Sequence, residues 1–492
     1  MGNASTTVRK FPVWCLAMLL AAGVVAVLGG STALAAGKGI VEVPGGVVTE
    51  GLTVDQQFDR QIELSGRLLD ELPRGVKLPQ VKIVLTPEEV AAIDNADKSS
   101  SPLKIGLVKA MTPAIEVLGL DGGAANRPRQ GTSGLAIPVR DGGYAWAVAV
   151  SAEGAGAIRL HLESMALPRG AELYVYSRSG EAYGPFTGTG PDRTGEFWLP
   201  TVFGKEAILQ LRIAGPVAEA SLREVSLRIA EVGIITEKMV GGLAPVIEAG
   251  FCGNPTCIVD ASCYSAANSI RDAYAKMEWI AGAYIYTCTA GALNDTGTPN
   301  AAPYYVLTAN HCVSKANTAK NVQFYWWFRT SSCNGSCPSN NGWSPKTTGS
   351  SVAATNRRGD FTLLTLNSAP PAGTTLLGFT NAAVANTNGV ALHRVSNPNF
   401  GPQVYNEQTV STSAPTCQGW PRGERIYSHD TLGGTDGGSS GSPVVNASNL
   451  VVGQLSGGCG TNVNDPCDAV NNATVDGALA YYWATVKPII NP

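Results

Sequence analysis

A glycine- and serine-rich string near the C-terminus could present a nucleophile. Residues 435–444 read TDGGSSGSPV, so Ser440 is closely flanked by Gly438 and Gly441. Acyl transfer needs a tight turn of this kind, because the hydroxyl must stand clear of its own backbone and N–H groups must converge on the developing oxyanion. Flexible linkers have a similar composition. We predict Ser440 as the nucleophile, and the N–H groups of Gly438 and Ser440 as the oxyanion donors.

A histidine that could activate this serine follows an apolar run. Residues 304–312 read YYVLTANHC, which places His311 after a predicted strand and directly before Cys312. Imidazole is the side chain best suited to take a hydroxyl proton near neutral pH. A disulfide at Cys312 would hold the backbone of His311 in place. The remaining histidines are predicted to be ordinary surface or core residues: His161, His393 and His429.

A carboxylate that could orient the histidine lies between these two strings. Residues 359–366 read GDFTLLTL, so Asp360 immediately precedes an apolar strand. Most aspartates at such a position are turn residues that open a strand. In the company of a candidate serine and histidine, Asp360 is the obvious acceptor for the Nδ1–H group of His311 and would fix its tautomer.

The elements that must position these three residues lie in the second half of the chain. With 492 residues the chain is too long for one ordinary core, so two folded domains are expected. Ten of the eleven cysteines fall between Cys252 and Cys467, and an even number in one region of an exported chain indicates disulfides. The spacing of Cys333 and Cys337 would also suit zinc, but no second Cys or His pair matches it, so we predict no metal site.

The first half follows a different pattern. Over residues 137–232 apolar side chains recur at every second position, as in Trp146, Val148 and Val150, and clusters of Gly, Pro and Asp separate the runs. This pattern predicts a β-sandwich that contains no chemistry. It could be a pro-domain, a substrate-binding module or a stability element. Two helices are predicted before it, one around residues 54–72 and one that begins near Thr86.

The N-terminus indicates export. Arg9 and Lys10 precede an apolar run over residues 11–29, and Ala33 and Ala35 are suitable for signal peptidase, so residues 1–35 are predicted to be a signal peptide. A transmembrane anchor is the alternative, but small residues interrupt the run and a cleavage site follows at once. The mature protein is expected to be soluble and secreted. The net charge of −3 gives no reason to expect nucleic acid or an anionic membrane as a partner.

The strings TANHC, GDFTLLTL and GSSGSP, in the order His, Asp, Ser, closely resemble the trypsin-like bacterial lysyl endopeptidases. The resemblance covers roughly residues 250–485. It implies a mainly β, chymotrypsin-like fold of two six-stranded barrels over residues 251–492, with the site in the cleft between them. The sandwich resembles the pro-regions of this family, so residues 36–250 are predicted to be a pro-region that covers the site.

The resemblance also implies disulfide pairings and substrate contacts that the residue pattern alone does not predict. It pairs six cysteines as Cys288–Cys312, Cys257–Cys459 and Cys263–Cys333, and it leaves four without a partner: Cys252, Cys337, Cys417 and Cys467. It implies that Ser456 lies beside the catalytic aspartate. It further implies that the substrate backbone pairs with three consecutive residues: Ser456, Gly457 and Gly458.

Two positions matter for activation and specificity. Ser439 stands where digestive trypsin-like enzymes have an aspartate that pairs with a freed N-terminus, so that switch cannot operate here, and lysyl endopeptidases share this serine. Thr474 stands where the lysyl enzymes have their lysine-reading aspartate. Asp436 matches an acidic pocket residue of theirs, and Asp476 lies close by. Either carboxylate would favour a basic P1 residue, because an apolar one would leave it unpaired.

The sequence therefore predicts a secreted serine endopeptidase precursor that acts on proteins or peptides, needs no cofactor and prefers Lys or Arg at P1. Self-cleavage is expected in a joint at residues 235–251, where Lys238 is the one basic residue. A catalytically silent, disulfide-stapled binding or adhesion protein is one alternative, although the intact triad argues against it. A triad hydrolase with non-basic P1 specificity, or one that acts on esters, is the other.

Overall fold

The computed structural model describes residues 39–73, 75–95, 101–120, 133–215, 219–240, 250–338 and 344–492. The predicted signal peptide and residues 241–249 of the joint lie outside the described residues. Residues 41–492 form one compact unit. No helix in the described ranges is both long and apolar enough to cross a membrane.

Short strands dominate the first half. Its elements, in chain order, are β1 (Glu42–Val43), β2 (Gly46–Val47), α1 (Val54–Glu71), β3 (Gln80–Ile83), α2 (Pro87–Asp94), β4 (Leu103–Leu118), β5 (Leu135–Pro138), β6 (Tyr144–Ala152), β7 (Ala155–Ala166), β8 (Ala171–Tyr176), β9 (Ala182–Phe186), β10 (Phe197–Trp198), β11 (Val202–Phe203), β12 (Glu206–Ile213), α3 (Glu219–Arg223), β13 (Ser226–Thr236) and α4 (Glu237–Val240). Both predicted helices are present. Thr53 and Thr86 begin them with capping boxes, which satisfy N–H groups that a helix start leaves free.

The predicted sandwich consists of two facing sheets. One has the order β3-β6-β12-β8-β9, with β5 on β6, and the other contains β10, β7, β13 and β4. The alternating apolar residues of both sheets meet in one core, where Trp146 and Leu211 of the first sheet are buried with Leu160 and Leu227 of the second. The indole N–H of Trp146 donates to the carbonyl of Ser133 at 2.6 Å, so its polar atom is satisfied.

Strands again dominate the second half. Its elements are β14 (Val259–Asp260), β15 (Tyr274–Ala281), β16 (Tyr284–Leu293), β17 (Tyr305–Ala309), α5 (Ala316–Lys320), β18 (Gln323–Trp326), β19 (Lys346–Thr348), β20 (Ser350–Asn356), β21 (Phe361–Leu366), β22 (Thr375–Leu376), β23 (Gly378–Thr380), β24 (Ala391–Ser396), β25 (Val404–Val410), β26 (Arg425–Leu432), β27 (Pro443–Asn446), β28 (Leu450–Gly460), β29 (Asn472–Ala478) and α6 (Leu479–Ile490).

These strands close into two barrels. In the first, pairing runs β15-β16-β17-β21-β20 and returns through β19 and β18 to β15. Strands β19 and β20 are the two halves of one strand bent at Gly349, whose φ of +83° favours glycine. In the second, the ring is β24-β25-β26-β29-β28-β27. The predicted mainly β architecture, two barrels preceded by a sandwich, is confirmed.

One strand joins the sandwich to the first barrel. β4 pairs with β13 along one edge and with β16 along the other, so a single sheet of twelve strands runs through both. Beside this junction Arg159 and Glu278 form a fully buried ion pair with Nη1 and Oε1 3.4 Å apart, and Lys346 forms a second one with Glu181. The boundary predicted at residue 250 stays a prediction, because strands from both sides of it share this sheet.

The segment before the first helix belongs to the sheets of the second half. β1 pairs with β23, and β2 pairs with β22. Val43 and Val48 are buried among residues of the second half, and the N–H group of Val48 donates to the carbonyl of Thr374 at 2.9 Å. Residues 41–48 therefore pair with strands that lie more than three hundred positions later in the chain.

All ten cysteines of the second half are paired: Cys252–Cys337, Cys257–Cys467, Cys263–Cys333, Cys288–Cys312 and Cys417–Cys459. The implied pairing Cys257–Cys459 is wrong. Cys459 lies on β28 beside Cys417, with Cα atoms 5.9 Å apart, while the following loop returns Cys467 to within 5.5 Å of Cys257. Both separations suit a disulfide, so the loop and not the strand closes on Cys257.

Candidate active site

The first barrel holds His311 and Asp360 side by side. His311 follows β17 and Asp360 precedes β21, and these strands pair with Ala309 opposite Phe361. His311 Nδ1 lies 3.0 Å from Asp360 Oδ2, and the backbone N–H of His311 donates to Asp360 Oδ1 at 3.1 Å. Asp360 has a φ of +50°, a left-handed conformation that is strained for a residue other than glycine. The carboxylate is therefore fixed against both the ring and the backbone of the histidine.

A second contact anchors the aspartate from behind. The side-chain amide of Gln454 donates to the backbone carbonyl of Asp360 at 2.8 Å, and the hydroxyl of Tyr482 donates to Gln454 Oε1 at 2.5 Å. Gln454 lies on β28 and Tyr482 on α6, so elements of the second barrel lock a residue of the first. Neither residue was predicted from the sequence.

The turn that carries Ser440 lies just before β27 and requires glycine. Gly441 has a φ of +82°, and a Cβ atom there would lie 2.2 Å from the hydroxyl oxygen of Thr308. The N–H group of Thr289, on β16, donates to the carbonyl of Ser440 at 2.9 Å. The second barrel thus carries the serine, and the first barrel holds it in place.

The predicted oxyanion donors are available. Among the described residues, the N–H groups of Gly438 and Ser440 have no hydrogen-bond partner. Ser439 is fully buried, and its hydroxyl accepts from Ser396 Oγ at 3.0 Å and from the N–H group of Asp436 at 3.3 Å. The turn is assembled by these local bonds, without a charged N-terminus.

A residue from the first half also lies in the site. Ser101 Oγ is 2.6 Å from His311 Nε2 and 3.0 Å from Ser440 Oγ. Ser101 was not predicted to lie in the site, because nothing in its local pattern of small polar residues distinguishes it from a loop residue.

An acidic pocket opens beside Ser440. Four aspartates line it, and no Lys, Arg or His is among its described lining residues; the four are Asp430, Asp436, Asp465 and Asp468. The hydroxyl of Thr474 donates to Asp430 Oδ1 at 2.9 Å. Burial raises the pKa of the Asp430 carboxyl, whereas hydrogen bonds from Asn462 and Asn471 lower the pKa of Asp468. The pocket is suited to a cationic side chain.

Of the two carboxylates predicted to select the substrate, the structure brings one to the pocket. Asp436 lines it, although its oxygens also accept from the N–H group of Gly437 at 2.7 Å and from Asn399 Nδ2 at 3.0 Å. Asp476 does not line it. It is fully buried, and its carboxylate accepts from Arg394 Nη2 and Gln408 Nε2, both at 2.8 Å, so it neutralises a core arginine. Asp430, which was not predicted from the sequence, lines the pocket as well.

The predicted substrate-pairing residues lie on β28 at a bulge. The register of β28 with β29 shifts between Leu455 and Gly457, which leaves Ser456 unpaired at the bulge. Gly457 and Gly458 line the pocket beside Ser440. The hydroxyl of Ser456 is buried without a hydrogen-bond partner among the described residues. The position of Ser456 beside Asp360 stays a prediction.

Comparison with known proteins gives consistent matches. The family model for the C-terminal domain of lysyl endopeptidase matches residues 253–473, and the model for the N-terminal domain of lysyl endopeptidase matches residues 137–234. A lysyl endopeptidase of Pseudomonas aeruginosa is 26% identical over 378 residues, which cover 74% of this chain and 76% of that protein.

Solved protease structures align with about half of the chain. The active form of the Rv3671c protease from M. tuberculosis is 15% identical with a TM-score of 0.32, covering 47% of this chain and 86% of its own. Deg5 is 12% identical with a TM-score of 0.31, covering 46% of this chain and 91% of its own. At such scores the likeness carries no argument about this chain.

Proposed function

This chain belongs to the lysyl endopeptidase family, and we propose that it is a secreted serine endopeptidase that acts through His311, Asp360 and Ser440. One observation carries the proposal. A histidine bonded to a carboxylate lies at the same site as a serine in a glycine-bounded turn and two N–H groups without described partners. Acyl transfer by a serine hydroxyl requires this set of groups.

The proposed mechanism assigns one proton path. His311 Nε2 takes the proton of Ser440 Oγ as this oxygen attacks the scissile carbonyl carbon, and the N–H groups of Gly438 and Ser440 stabilise the oxyanion. His311 then gives the proton to the leaving amine, and an acyl-enzyme remains on Ser440. Water, deprotonated by His311, releases the acid and restores the serine. Asp360 holds the Nδ1–H group throughout and stabilises the transient imidazolium.

We further propose that the substrate residue in the pocket is Lys or Arg. Four carboxylates line the pocket, and no cationic side chain is among its described lining residues. An apolar P1 side chain would remove water from these carboxylates without pairing their charge, which supports the preference for a basic residue. The charge comes from Asp430 and Asp436, while Thr474, at the position of the family's lysine-reading aspartate, donates its hydroxyl to Asp430. The carboxylate that bonds to Thr474 thus belongs to Asp430 on β26, whereas the position of the family's lysine-reading aspartate, Thr474, is on β29.

The setting supports a secreted precursor. Five disulfides suit an oxidising, extracellular compartment. The N-terminal half, with Ser101 in the site, is suited to act as the cover of a zymogen.

Lys238, the residue after which self-cleavage is expected, is exposed but lies in α4, and its Nζ donates to the carbonyl of Asp94 at 2.8 Å. Proteases bind extended chains, so self-cleavage after Lys238 requires α4 to unwind first.

A covalent probe tests the activity, and a peptide panel tests the specificity. The secreted protein is treated with a fluorophosphonate, and the modified residue is located by mass spectrometry. We expect a single adduct on Ser440 and none in Ser440→Ala. Peptides that differ only in Lys, Arg, Gln or Leu at P1 are then compared by kcat/KM. A protein without an adduct would be a silent binding protein, and equal rates across the panel would remove the basic preference.

A further inference from the structure

The intact chain inserts one of its own side chains into the candidate active site. Ser101 Oγ is within hydrogen-bonding distance of both His311 Nε2 and Ser440 Oγ. The same residue lines the acidic pocket. Because Asp360 accepts the Nδ1–H group, Nε2 carries the lone pair that must receive the proton of Ser440. A Ser101 hydroxyl that donates to Nε2 occupies that lone pair.

The strand that follows Ser101 lies against the first barrel next to the site. In β4, Leu103 pairs with Thr287 and Lys104 with Tyr286, antiparallel along β16. The next residue of β16, Cys288, is disulfide-bonded to the neighbour of His311. The pairing therefore brings β4 along β16 directly to the histidine. The pocket is lined mainly by residues of the other barrel, among them Gly457 and Gly458 on β28, whereas β4 lies along the first barrel.

A strand edge can pair with only one chain at a time. Substrates of such sites bind as added strands, with main-chain hydrogen bonds to an exposed edge. The edge at residues 284–287 is closed while β4 pairs with it. A substrate that extends beyond its scissile bond on this side must compete with β4 for the edge.

We propose that Ser101–Leu107 is an inhibitory strand built into the chain. Ser101 keeps His311 from activating Ser440, and Leu103–Leu107 block the edge of β16 that receives the substrate after its scissile bond. This inference rests on the proposed function and gives the predicted cover a location. The buried pairs Arg159–Glu278 and Lys346–Glu181 hold the sandwich against the first barrel, so the strand is pre-positioned and does not bind as a free peptide.

The test compares, within one preparation, full-length molecules with cleaved molecules that no longer carry residues 101–107. The secreted protein reacts with a fluorophosphonate, and intact-mass spectrometry scores the adduct separately on each species over time. We expect full-length chains to react at least tenfold more slowly than cleaved ones. Ser101→Ala should accelerate the full-length chain by about tenfold, the equivalent of one hydrogen bond of about 1.4 kcal/mol. Ser164→Ala is the matched control, because Ser164 is an exposed serine on β7.

A second measurement isolates the strand. Full-length Ser101→Ala is given a P1-Lys ester, which has no residue after the scissile bond, and a peptide with three residues after it. Hydrolysis of the ester but not of the peptide would support occlusion of the edge. If the ester and the peptide were hydrolysed at equal rates, each relative to its rate with the cleaved enzyme, the occlusion would be overturned.

Different results would overturn the serine endopeptidase and the inhibitory strand. Cleaved chains that form no adduct would remove the serine endopeptidase, and the inhibitory strand with it. Cleaved chains that react, beside full-length Ser101→Ala chains that stay as slow as the full-length wild type, would leave the endopeptidase intact and overturn the role of Ser101.

Discussion

The sandwich and the double barrel are built from the same kind of strand, yet only one of them carries a site. In both, apolar residues at every second position form the core. They differ at the strand ends. His311 follows β17, Asp360 precedes β21 and Ser440 precedes β27, so three ends from two barrels meet in one cleft. The candidate catalytic residues therefore lie where strands end, while most residues inside the strands pack the cores.

The two histidines illustrate this difference. His161 lies within β7, stacked on Trp198 with ring centroids 4.5 Å apart and its Nδ1 3.0 Å from Glu231 Oε2. His311 lies beyond the end of its strand, with Nδ1 bonded to Asp360 and Nε2 directed at hydroxyl groups. The ring of His161 is a packing element with a hydrogen-bond contact to a carboxylate, and of these two rings only that of His311 has a nitrogen aimed at the candidate nucleophile.

Replacing each histidine in turn tests this comparison. Of all the variants considered, His311→Ala should have the largest effect on turnover. We expect His311→Ala to lower kcat by about 10⁶-fold, as loss of a base in such a triad does, without change in the melting temperature. His161→Ala should leave turnover of the cleaved enzyme within about twofold, because nothing in the site touches it. Turnover is measured on a P1-Lys peptide. A His311→Ala enzyme with a tenth of the parent activity would contradict the assignment.

Asp430→Asn should have the next largest effect, on selectivity. We expect the ratio of kcat/KM for Lys over Gln at P1 to fall by about 100-fold, roughly 2.7 kcal/mol of lost charge pairing. Asp476→Asn is the comparison variant, because it removes the buried partner of Arg394 and should lower stability instead. Selectivity that is lost in Asp476→Asn and retained in Asp430→Asn would reverse the two roles.

The disulfide Cys288–Cys312 should affect both stability and turnover. It closes a separation of 24 residues and fixes the backbone next to His311. Loss of such a link costs about 3 kcal/mol in the chain-entropy model. We expect the Cys288→Ser, Cys312→Ser variant to melt about 6–12 °C lower and to turn over more slowly. The Cys417→Ser, Cys459→Ser variant, away from the histidine, should lose stability with kcat unchanged.

The pKa of Asp430 predicts a pH dependence of selectivity. Burial raises it, so the folded protein binds this proton more tightly than the unfolded chain does. Its stabilising contribution is therefore present at low pH and is lost as the pH rises through the folded pKa. The preference for Lys over Gln should increase over the same rise, as the carboxylate forms. Asp430→Asn should show neither trend, and a wild-type ratio independent of pH would contradict the assignment.

The smallest effect is expected where the two regions join. Because Ser396 and the Asp436 backbone hold Ser439, the oxyanion turn does not depend on a free N-terminus. Extra residues left on the N-terminus made by cleavage in the joint should keep kcat within about twofold. The measurement is activity against the length of an uncleavable extension. A sharp loss on adding one or two residues would show that a free N-terminus is needed.

Local sequence was sufficient for the sandwich and for selecting the candidate catalytic residues, whereas the two barrels were implied by the family resemblance. Period-two alternation reflects burial of one strand face, and it predicted the sandwich without reference to distant residues. The three candidate catalytic side chains each lie next to an apolar strand, so the strings around them predict their positions at the strand ends. The turn at Gly438–Gly441 is likewise local, because its glycines are required by its own backbone.

Features that depend on strand register could not be predicted in the same way. Asp430 enters the pocket because β26 pairs with β29, which places Ser428 opposite Thr474. Asp476 is drawn away by Arg394, a residue whose position follows from the closure of the barrel. Ser101 reaches the site only because β4 pairs with β16. In each case the deciding partner lies far away in sequence, and no spacing encodes it.

The pairing of β1 and β2 with β23 and β22 changes what a single cut can achieve. Cutting the joint would turn one chain into two, but strands at Glu42–Val43 and Gly46–Val47 would remain in the ladders of the larger fragment. The product is then a two-chain complex, tethered by these strands at one end of the smaller fragment and by β4 further along it. The sandwich could depart by itself only after a second cut between Val48 and Ser101. Release of the sandwich would thus require two cuts, and after the first cut the two fragments would remain associated.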